Sequence, residues 1–261
     1  MSKSAIKIER QGAVALVTID RPETLNALDV PTLLELEAAI HSLGRDADVR
    51  VIVFTGAGDK AFIAGGDIAD LNSRQGLAHY QEFAEVVHRV FRAAELCDKP
   101  TIAAVNGFAL GGGTEFILAL DIRILSDRAK LGLPEITLGL FPGAGGTQRL
   151  IRQIPLCRAK EIMFTGDRIG AEEAVALGLA NRVVPAEKLM AETMALAARI
   201  AEKSPLVLKL LKRTLNAGGD MPLAAAIAHE QAMIGLVLDS ADSHEGCGAF
   251  LEKRKAVFAG R

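Results

Sequence analysis

Two glutamates beside glycine-rich turns are the side chains of this sequence best suited to acid–base chemistry. Glu115 follows Gly111-Gly112-Gly113, and Glu135, twenty positions later, follows Leu133-Pro134. Two carboxyl groups that share a buried site differ in proton affinity, so one is ionised and the other protonated, as chemistry on a water molecule requires. The alternatives are a first-turn acid that complements a helix dipole at Glu115 and a solvated turn carboxylate at Glu135. Spacing alone does not decide whether the two side chains meet.

Glycine-rich turns at three places could bring backbone N–H groups close to a ligand. They occupy residues 64–67, 111–113 and 143–146, each next to an apolar segment. The turn at 111–113 follows a predicted strand and begins a predicted helix, where free N–H groups favour a developing negative charge. This turn therefore predicts an oxyanion hole, and a tight turn without a ligand is the alternative.

Other catalytic signatures are absent from the sequence or fail on context. Residues 56–61 match the dinucleotide-binding pattern G-x-G-x-x-A after a strand, but residues 62–66 stand where that fold requires an immediate long helix. The sequence contains no phosphate-binding loop G-x-x-x-x-G-K-[ST], no H-E-x-x-H and no G-x-S-x-G. The five histidines are scattered over predicted helices, which favours packing or surface roles over catalysis.

The elements that must position these residues alternate between strands and helices. Apolar and polar residues alternate on both sides of Gln11-Gly12, which predicts an opening hairpin. Helical spacing and β-branched runs then follow one another, which indicates an α/β fold with several buried strands. The predicted elements are strands at 5–10, 13–20, 49–55, 100–106 and 121–126, and helices at 33–43, at 76–96 and beginning within 111–115.

The C-terminal third is predicted to be almost entirely helical. Strand patterns nearly vanish from about Gln148 onward, and the last three helices are long, apolar on one face and separated by turn residues. We therefore divide the chain into a core at residues 1–200 and a helical region at residues 201–261, which could pack on the core or on another subunit. The predicted helices cover residues 158–164, 171–177, 187–203, 205–216, 223–238 and 243–257.

Composition and charge exclude several classes of partner. A chain of 261 residues, 50% hydrophobic and 24% charged, can bury a large core, which excludes disorder as its main state. Its net charge of −2 argues against nucleic acid or an anionic membrane as a partner. No apolar run reaches the ~20 residues that span a bilayer, and no leader is predicted. Cys97, Cys157 and Cys247 form no paired pattern, so we expect reduced thiols and a cytoplasmic location.

Taken together, these residues resemble the enoyl-CoA hydratase (crotonase) family, from the first hairpin to the last helix. The resemblance implies a spiral of β-β-α units with a helical C-terminal part that forms trimers, usually paired into hexamers. Five groups of motifs carry it, and they stand in family order: Arg21-Pro22 with residues 25–28, Phe62 with residues 64–68, Lys99-Pro100 with residues 103–107, residues 109–113 with Glu115, and residues 134–136 with 138–139 and 142–150.

The resemblance also implies a role for each part of the candidate site. The backbone N–H groups of Gly66 and Gly112 would form the oxyanion hole around the thioester carbonyl of an acyl-CoA. Glu115 and Glu135 would bind one water between them, add its oxygen at C3 and supply the proton at C2. The substrate-binding positions implied are Asn26, Leu28, Ala64, Gly65, Asp67, Ile68, Leu133, Phe141, Phe250 and Lys253.

The last two of these positions are expected to act in the assembled protein. The resemblance places Phe250 and Lys253 at the adenosine-phosphate end of CoA bound to a neighbouring subunit. They are three positions apart, hence on one face of the predicted last helix. Lys253-Arg254-Lys255 is a concentrated cationic group that could hold phosphate charges, and a solvated tail is the alternative.

The function implied is hydration of a 2-enoyl-CoA to a 3-hydroxyacyl-CoA, a lyase reaction of the fatty acid β-oxidation type. It needs no metal and no redox cofactor, and coenzyme A enters as part of the substrate. The two glutamates favour this reaction over the alternatives of an enoyl-CoA isomerase or an acyl-CoA lyase of the same fold. A noncatalytic acyl-CoA-binding or RNA-binding protein is disfavoured by the glutamates and by the charge.

The acyl group is left open by the sequence. Leu131 and Leu133 stand where hydratases of this family often carry an aromatic and a polar residue, and Gly66 stands where many have alanine. One methylene in an apolar pocket changes discrimination by only about 1–3 kcal/mol, so chain length, branching and cyclic groups all remain possible.

Overall fold

Runs of aliphatic and β-branched residues form two sheets. The computed structural model describes residues 4–261, and β1 to β10 within them are, in chain order, Ile6–Gln11, Val14–Ile19, Val51–Gly56, Ala61–Ile63, Thr101–Val105, Phe108–Leu110, Ile122–Ser126, Lys130–Gly132, Arg168–Gly170 and Arg182–Val184. The six-stranded main sheet has the order β1-β2-β3-β5-β7-β10, and the four-stranded second sheet has the order β4-β6-β8-β9.

The predicted opening hairpin is confirmed. β1 pairs with β2 in antiparallel register, with Gln11 opposite Val14, and the turn contains Gly12, whose φ of +60° favours glycine. The other neighbours in the main sheet are parallel. Parallel strands need crossover connections, and helices supply them here.

The helices α1 to α11 connect and cover the strands. Their bounds, in chain order, are Val30–Arg45, Ile68–Asn72, Glu85–Glu95, Gly112–Leu118, Gly146–Leu150, Leu156–Thr165, Ala171–Ala176, Leu189–Ala201, Pro205–Gly218, Leu223–Leu238 and Ala241–Leu251. Three 3-10 turns accompany them, at Pro22–Thr24, Pro134–Leu138 and Ala186–Lys188. The helix predicted at 76–96 consists of a π-helical turn, His79–Ala84, followed by α3.

From β3 to β8, strands of the two sheets alternate along the chain, and this confirms the α/β spiral of β-β-α units. β3 of the main sheet is followed by β4 of the second sheet and then by α2 and α3; β5 is followed in the same way by β6 and α4. β7 and β8 repeat the pattern and lead into the turn Pro134–Leu138. Because β4, β6 and β8 are parallel neighbours, the loops that follow them begin at the same edge of the second sheet.

Aromatic rings fill the core between the sheets and the helices. Phe116 of α4 lies 5.3 Å from Phe54, 5.1 Å from Phe91 and 6.4 Å from Phe62, measured between ring centroids. Such ring contacts add to the apolar area buried there. They fix α4 against β3, β4 and α3, and α4 carries one of the candidate glutamates.

The C-terminal third differs from the prediction at two points. Short strands interrupt it, because β9 pairs with β8 and β10 extends the main sheet beside β7, and three-residue strands carry little sequence pattern. The last helix ends at Leu251 rather than at residue 257. The segment after it folds back, because the buried carboxylate of Asp242 accepts hydrogen bonds from the N–H groups of Ala259 and Gly260.

Helices α9 and α10 differ in how they contact the rest of the chain. α9 is fixed to the core by ion pairs, with Lys212 2.8 Å from Asp121 and Arg213 2.7 Å from Asp98. α10 packs against α9 and α11 and, within the described chain, has no buried residue. The boundary proposed between residues 200 and 201 stays a prediction.

Candidate active site

Two of the glycine-rich turns are in contact at the edge of the second sheet. The turn at 64–67 follows β4, and the turn at 111–113 follows β6. A Cβ atom placed on Gly112 would lie 3.6 Å from the backbone nitrogen of Gly66. Parallel strand pairing thus brings together two turns that are distant in the sequence.

Backbone N–H groups are available at this contact. Gly112 is the first residue of α4, so its N–H has no partner within the helix. Within residues 4–261, no hydrogen bond uses the N–H of Gly66. Both glycines are partly exposed, whereas Gly65, Gly111 and Gly113 beside them are buried. Two adjacent donors at a helix N-terminus can stabilise an oxyanion.

Glu115 is buried within the fold and does not point toward bulk water. Only 3% of the residue is exposed, and its Oε1 accepts hydrogen bonds from the N–H groups of Ala144 at 2.7 Å and Gly146 at 2.8 Å. Burial raises the pKa of Glu115, while the two N–H donors and the positive charge of Arg149 act in the opposite direction. The third glycine-rich turn therefore holds this carboxylate.

Glu135 reaches the same place from the 3-10 turn that follows β8. Its Oε1 lies where a side chain on Gly111 would stand, 2.9 Å from the position of the missing Cβ. Its Oε2 is buried and, within the described residues, has no hydrogen-bond partner. Burial and the nearby charge of Glu115 raise the pKa of Glu135 to about 7. Glu135 therefore lies close enough to Glu115 for the two charges to interact, which their spacing had left open.

The two carboxyl groups are suited to different protonation states. Glu115 accepts two N–H donors and faces a cation, so it is the member of the pair that ionises first. The charge on Glu115 then disfavours ionisation of Glu135. A carboxylate can take a proton from water and a protonated carboxyl can donate one, which is the division of roles that hydration of a double bond requires.

Three of the predicted substrate-binding residues are held by contacts with or beside β4 and the turns that flank it. The Asn26 side chain is fully buried, accepts a hydrogen bond from the N–H of Arg21 and donates to the carbonyls of Ala57 and Ala61. Leu28 forms an isolated parallel bridge with Gly66. Asp67 caps α2 and accepts a hydrogen bond from Arg21. Direct contact of these three residues with substrate stays a prediction.

The remaining positions around the turns divide into buried and exposed groups. Gly65 and Leu133 are buried, and Ala64 is half-buried. Ile68 and Phe141 are large apolar side chains that are exposed, Phe141 to 73%. An exposed apolar side chain beside a polar site can contact an apolar ligand, but for all five positions substrate contact stays a prediction.

The predicted pair at the C-terminus needs a correction. Phe250 lies on α11 and is exposed, but Lys253 follows the end of the helix and has a φ of +55°. The two residues are therefore not on one helix face. The concentrated cation group is also largely neutralised, because Arg254 pairs with Glu245 and Lys255 with Glu202.

Sequence reasoning gave no role to several residues that line the site. Ala144, Gly146 and Arg149 belong to the motif at 142–150, which was recognised without any function for its members. Leu71 and Phe83 lie 3.3 and 3.6 Å from the Cβ position of Gly66, and the sequence assigned no specific role to either of them. Their placement depends on packing between elements distant in the sequence.

Within residues 4–261, no cluster of three or more histidine, cysteine, aspartate or glutamate side chains is arranged to hold a metal ion. Over the same residues, every helix is too short or too polar to cross a membrane.

Comparison with known proteins gives matches over nearly the whole chain. A family model described as enoyl-CoA hydratase/isomerase matches residues 9–261. A short-chain-enoyl-CoA hydratase of Clostridium acetobutylicum is 41% identical over 255 residues, covering 98% of this chain and 97% of that protein. A crotonyl-CoA hydratase of Syntrophomonas wolfei is 42% identical over 258 residues, covering 99% of each. The crystal structure of an enoyl-CoA hydratase from Bacillus anthracis superposes with a TM-score of 0.95 at 36% identity, covering 98% of this chain and 100% of that one.

Proposed function

The chain belongs to the enoyl-CoA hydratase/isomerase family and is a 2-enoyl-CoA hydratase, and from this premise we propose that Glu115 and Glu135 add water across the C2=C3 double bond. One observation carries the proposal. Glu115, which is buried, and Glu135, whose Oε2 is buried, lie beside two backbone N–H groups that are free to donate hydrogen bonds to an oxyanion. These are the groups that addition of water to an α,β-unsaturated thioester requires.

The oxyanion step assigns a role to the contact between the two turns. When a nucleophile attacks C3, negative charge develops on the thioester carbonyl oxygen. The N–H groups of Gly66 and Gly112 stabilise that charge, and the N-terminal end of α4 adds its dipole. Because this charge is larger in the transition state than in the bound substrate, the interaction accelerates the reaction.

The proton steps assign different roles to the two glutamates. Ionised Glu115 accepts a proton from the water whose oxygen attacks C3. Protonated Glu135 supplies the proton to C2, and its pKa of about 7 keeps a useful protonated fraction near neutral pH. The water oxygen adds to C3, the double bond is lost and protons are transferred, with no net change in oxidation state, so the proposed chemistry uses no redox cofactor and routes no step through a metal.

We propose a short, unbranched acyl group for the substrate. Two full-length relatives are a short-chain-enoyl-CoA hydratase and a crotonyl-CoA hydratase, both above 40% identity. The space beside Gly66 is bounded by Leu71 and Phe83, and Leu131 and Leu133, which precede Glu135 in the chain, are buried. Apolar side chains on these sides favour a small apolar acyl group, as in one turn of fatty acid β-oxidation.

We also propose that the enzyme is a cytoplasmic trimer or dimer of trimers. α10 exposes apolar side chains that include Leu223, Ile227 and Ile234, and such a face favours cover by other copies of the chain. Cys97, Cys157 and Cys247 are free, which favours a reducing compartment.

The hydration assay tests the catalytic assignment. Purified protein is incubated with crotonyl-CoA, and loss of the conjugated thioester absorbance is followed. We expect Glu115→Gln and Glu135→Gln each to lower kcat by about 100-fold or more, while crotonyl-CoA still binds. A 3-enoyl-CoA is the second substrate arm, and gain of the conjugated absorbance there would indicate isomerase activity.

The control variant is Glu187→Gln. Glu187, like Glu135, is the second residue of a 3-10 turn, but it is exposed. We expect wild-type kcat from it. Near-wild-type turnover in Glu115→Gln or Glu135→Gln would remove that glutamate from the mechanism.

The tail position Lys253 is tested by the KM for CoA thioesters. We expect Lys253→Ala to raise KM with little change in kcat, because the contact is remote from the reacting carbons. The effect should shrink as salt screens the charge. Arg254→Ala is the comparison, since Arg254 is paired with Glu245. An unchanged KM for Lys253→Ala at low salt would assign this residue to a solvated tail.

A further inference from the structure

The turn whose N–H groups bind the Glu115 carboxylate is itself held in place by another side chain. The N–H groups of Ala144 and Gly146 that bind it flank Gly145, whose φ is +102°. Hydrogen bonds from two residues of one turn orient a carboxylate only if the turn is fixed. The groups that fix this turn therefore control the geometry of Glu115.

Arg149 makes the contact that fixes the turn. It lies in α5, and its Nη1 donates a hydrogen bond to the carbonyl oxygen of Ala144 at 3.2 Å. Its guanidinium carbon would be 3.2 Å from a Cβ on Gly145, and Nη1 would overlap that atom. The guanidinium thus lies directly against the backbone whose N–H groups, on the other side, bind Glu115.

Glu95 holds the guanidinium in place. The Nε and Nη2 atoms of Arg149 donate to the two carboxylate oxygens of Glu95 at 2.9 and 2.8 Å, the paired geometry that only arginine can form. Both side chains are mostly buried, with 17% of Arg149 and 34% of Glu95 exposed. Partial burial makes this ion pair stiffer and less screened than one on an open surface.

From these contacts we propose that Arg149, held by Glu95, is a positioning residue that orients the Glu115 carboxylate through the turn at 144–146. The inference rests on the proposed role of Glu115 in hydration. It assigns a function to the middle of the motif at 142–150 and to a glutamate at the end of α3. Neither Arg149 nor Glu95 touches the reacting atoms in this scheme.

The charge of Arg149 gives the proposal a specific readout. The charged side chains that face Glu115 are Arg149 from α5 and Glu135 from the 3-10 turn. β4 and β6, which also pack against α4, have only apolar side chains. Removing the charge of Arg149 should therefore raise the pKa of Glu115 further and make its ionised form harder to reach.

The experiment measures kcat and KM for crotonyl-CoA against pH in Arg149→Gln, Arg149→Lys and Arg89→Gln. We expect Arg149→Gln to lower kcat by about tenfold or more, because small misplacements of reacting groups cost this much. Its KM should stay within about twofold, and the acid limb of its kcat profile should move to higher pH. Arg149→Lys should lower kcat but keep the acid limb near that of the wild type, because the charge is retained. Arg89→Gln removes an arginine–glutamate pair of the same geometry, Arg89 with Glu37, and should behave as wild type.

A double variant separates positioning from simple structural damage. If Arg149 acts through Glu115, then Arg149→Gln added to Glu115→Gln should cause almost no further loss of kcat. An Arg149→Gln enzyme whose acid limb coincides with that of the wild type would overturn the inference, and so would fully additive losses. If Arg149→Gln does not fold, Arg149→Lys and Glu95→Gln decide: lowered kcat with retained KM in both supports the inference, and wild-type kcat in both overturns it.

Failure of the positioning role of Arg149 can be distinguished from failure of the proposed function. Full activity in Glu115→Gln would refute the role of Glu115 itself. An inactive Glu115→Gln together with an Arg149→Gln enzyme that behaves as wild type would refute only the positioning role.

Discussion

Helices α4 and α10 differ in the burial of their apolar residues. In α4, every residue from 113 to 118 is buried, including Glu115. In α10, none of the sixteen residues is buried within the described chain, although the helix is apolar almost all round. The chain thus completes its own core around Glu115 and leaves a second apolar surface, on α10, exposed.

The difference follows from what surrounds each helix. α4 lies against β4, β6 and α5, so its side chains meet other elements on all sides, and its one carboxylate is satisfied by backbone N–H groups. α10 meets α9 and α11 only along part of its surface. Burial in the first region is decided within one chain, whereas the proposed burial in the second is decided by association.

The largest expected effect comes from a substitution that disrupts the packing of α4. A Cβ on Gly113 would overlap the carbonyl oxygen of Ile63 and lie 3.0 Å from its Cβ, so Gly113→Ala must push α4 away from β4. We expect the free energy of unfolding to fall by about 3 kcal/mol or more, measured by urea unfolding with circular dichroism. A wild-type unfolding midpoint would mean that α4 and β4 are not tightly coupled.

The next effect concerns the exposed helix. Ile227 of α10 is 55% exposed, and we expect Ile227→Asp to reduce the proposed trimer or dimer of trimers to smaller species at micromolar concentration, because covering a carboxylate costs several kcal/mol. Analytical ultracentrifugation measures the mass. Ile8→Asp, at a 44% exposed position of β1, is the control and should leave the assembly intact. An unchanged mass for Ile227→Asp would show that copies of the chain do not cover this face.

A smaller effect concerns the loss of folding stability caused by burying the Glu135 carboxyl group. The pKa of Glu135 is raised to about 7 in the fold from a usual 4.5, so the folded state binds the proton more tightly than the unfolded state. Stability is therefore lost as pH rises from about 4.5 to 7, and the loss persists above 7. After allowance for partial exposure, we expect Glu135→Gln to be about 1–2 kcal/mol more stable than the wild type at pH 8.

The same comparison at acid pH provides the internal control for Glu135. At pH 4 the carboxyl is protonated in both states, so the stability gain of Glu135→Gln should vanish. Glu187→Gln, at an exposed position, should show no gain at either pH. A gain for Glu135→Gln that does not depend on pH would reject the electrostatic explanation.

The smallest effect sharpens the contrast between the two helices. A Cβ on Gly235 of α10 would meet no atom within 4 Å, in contrast to Gly113 of α4. Alanine favours a helix over glycine, so Gly235→Ala should stabilise the chain by about 0.5–1 kcal/mol in thermal unfolding. A loss of stability would instead indicate that a neighbouring copy approaches this glycine closely.

The sequence alone was sufficient for the features that depend on local pattern. Alternation around Gly12 predicted the hairpin, and a glycine run before an apolar stretch predicted the start of α4 near Glu115. Motif order along the chain indicated the family and both glutamates. These signals are local, because hairpins, helix starts and glycine turns are determined by neighbouring residues.

Tertiary structure decided what depends on distant contacts. Only the parallel pairing of β4 with β6 places Gly66 beside Gly112, and only packing supplies Glu115 with donors from residues 144 and 146. The placement of the tail after the last helix likewise depends on a distant contact, because Asp242 accepts hydrogen bonds from residues 259 and 260. A sequence pattern reports which residues are apolar or able to turn, but hydrogen bonds and charges act between atoms whose distance is set by the whole fold.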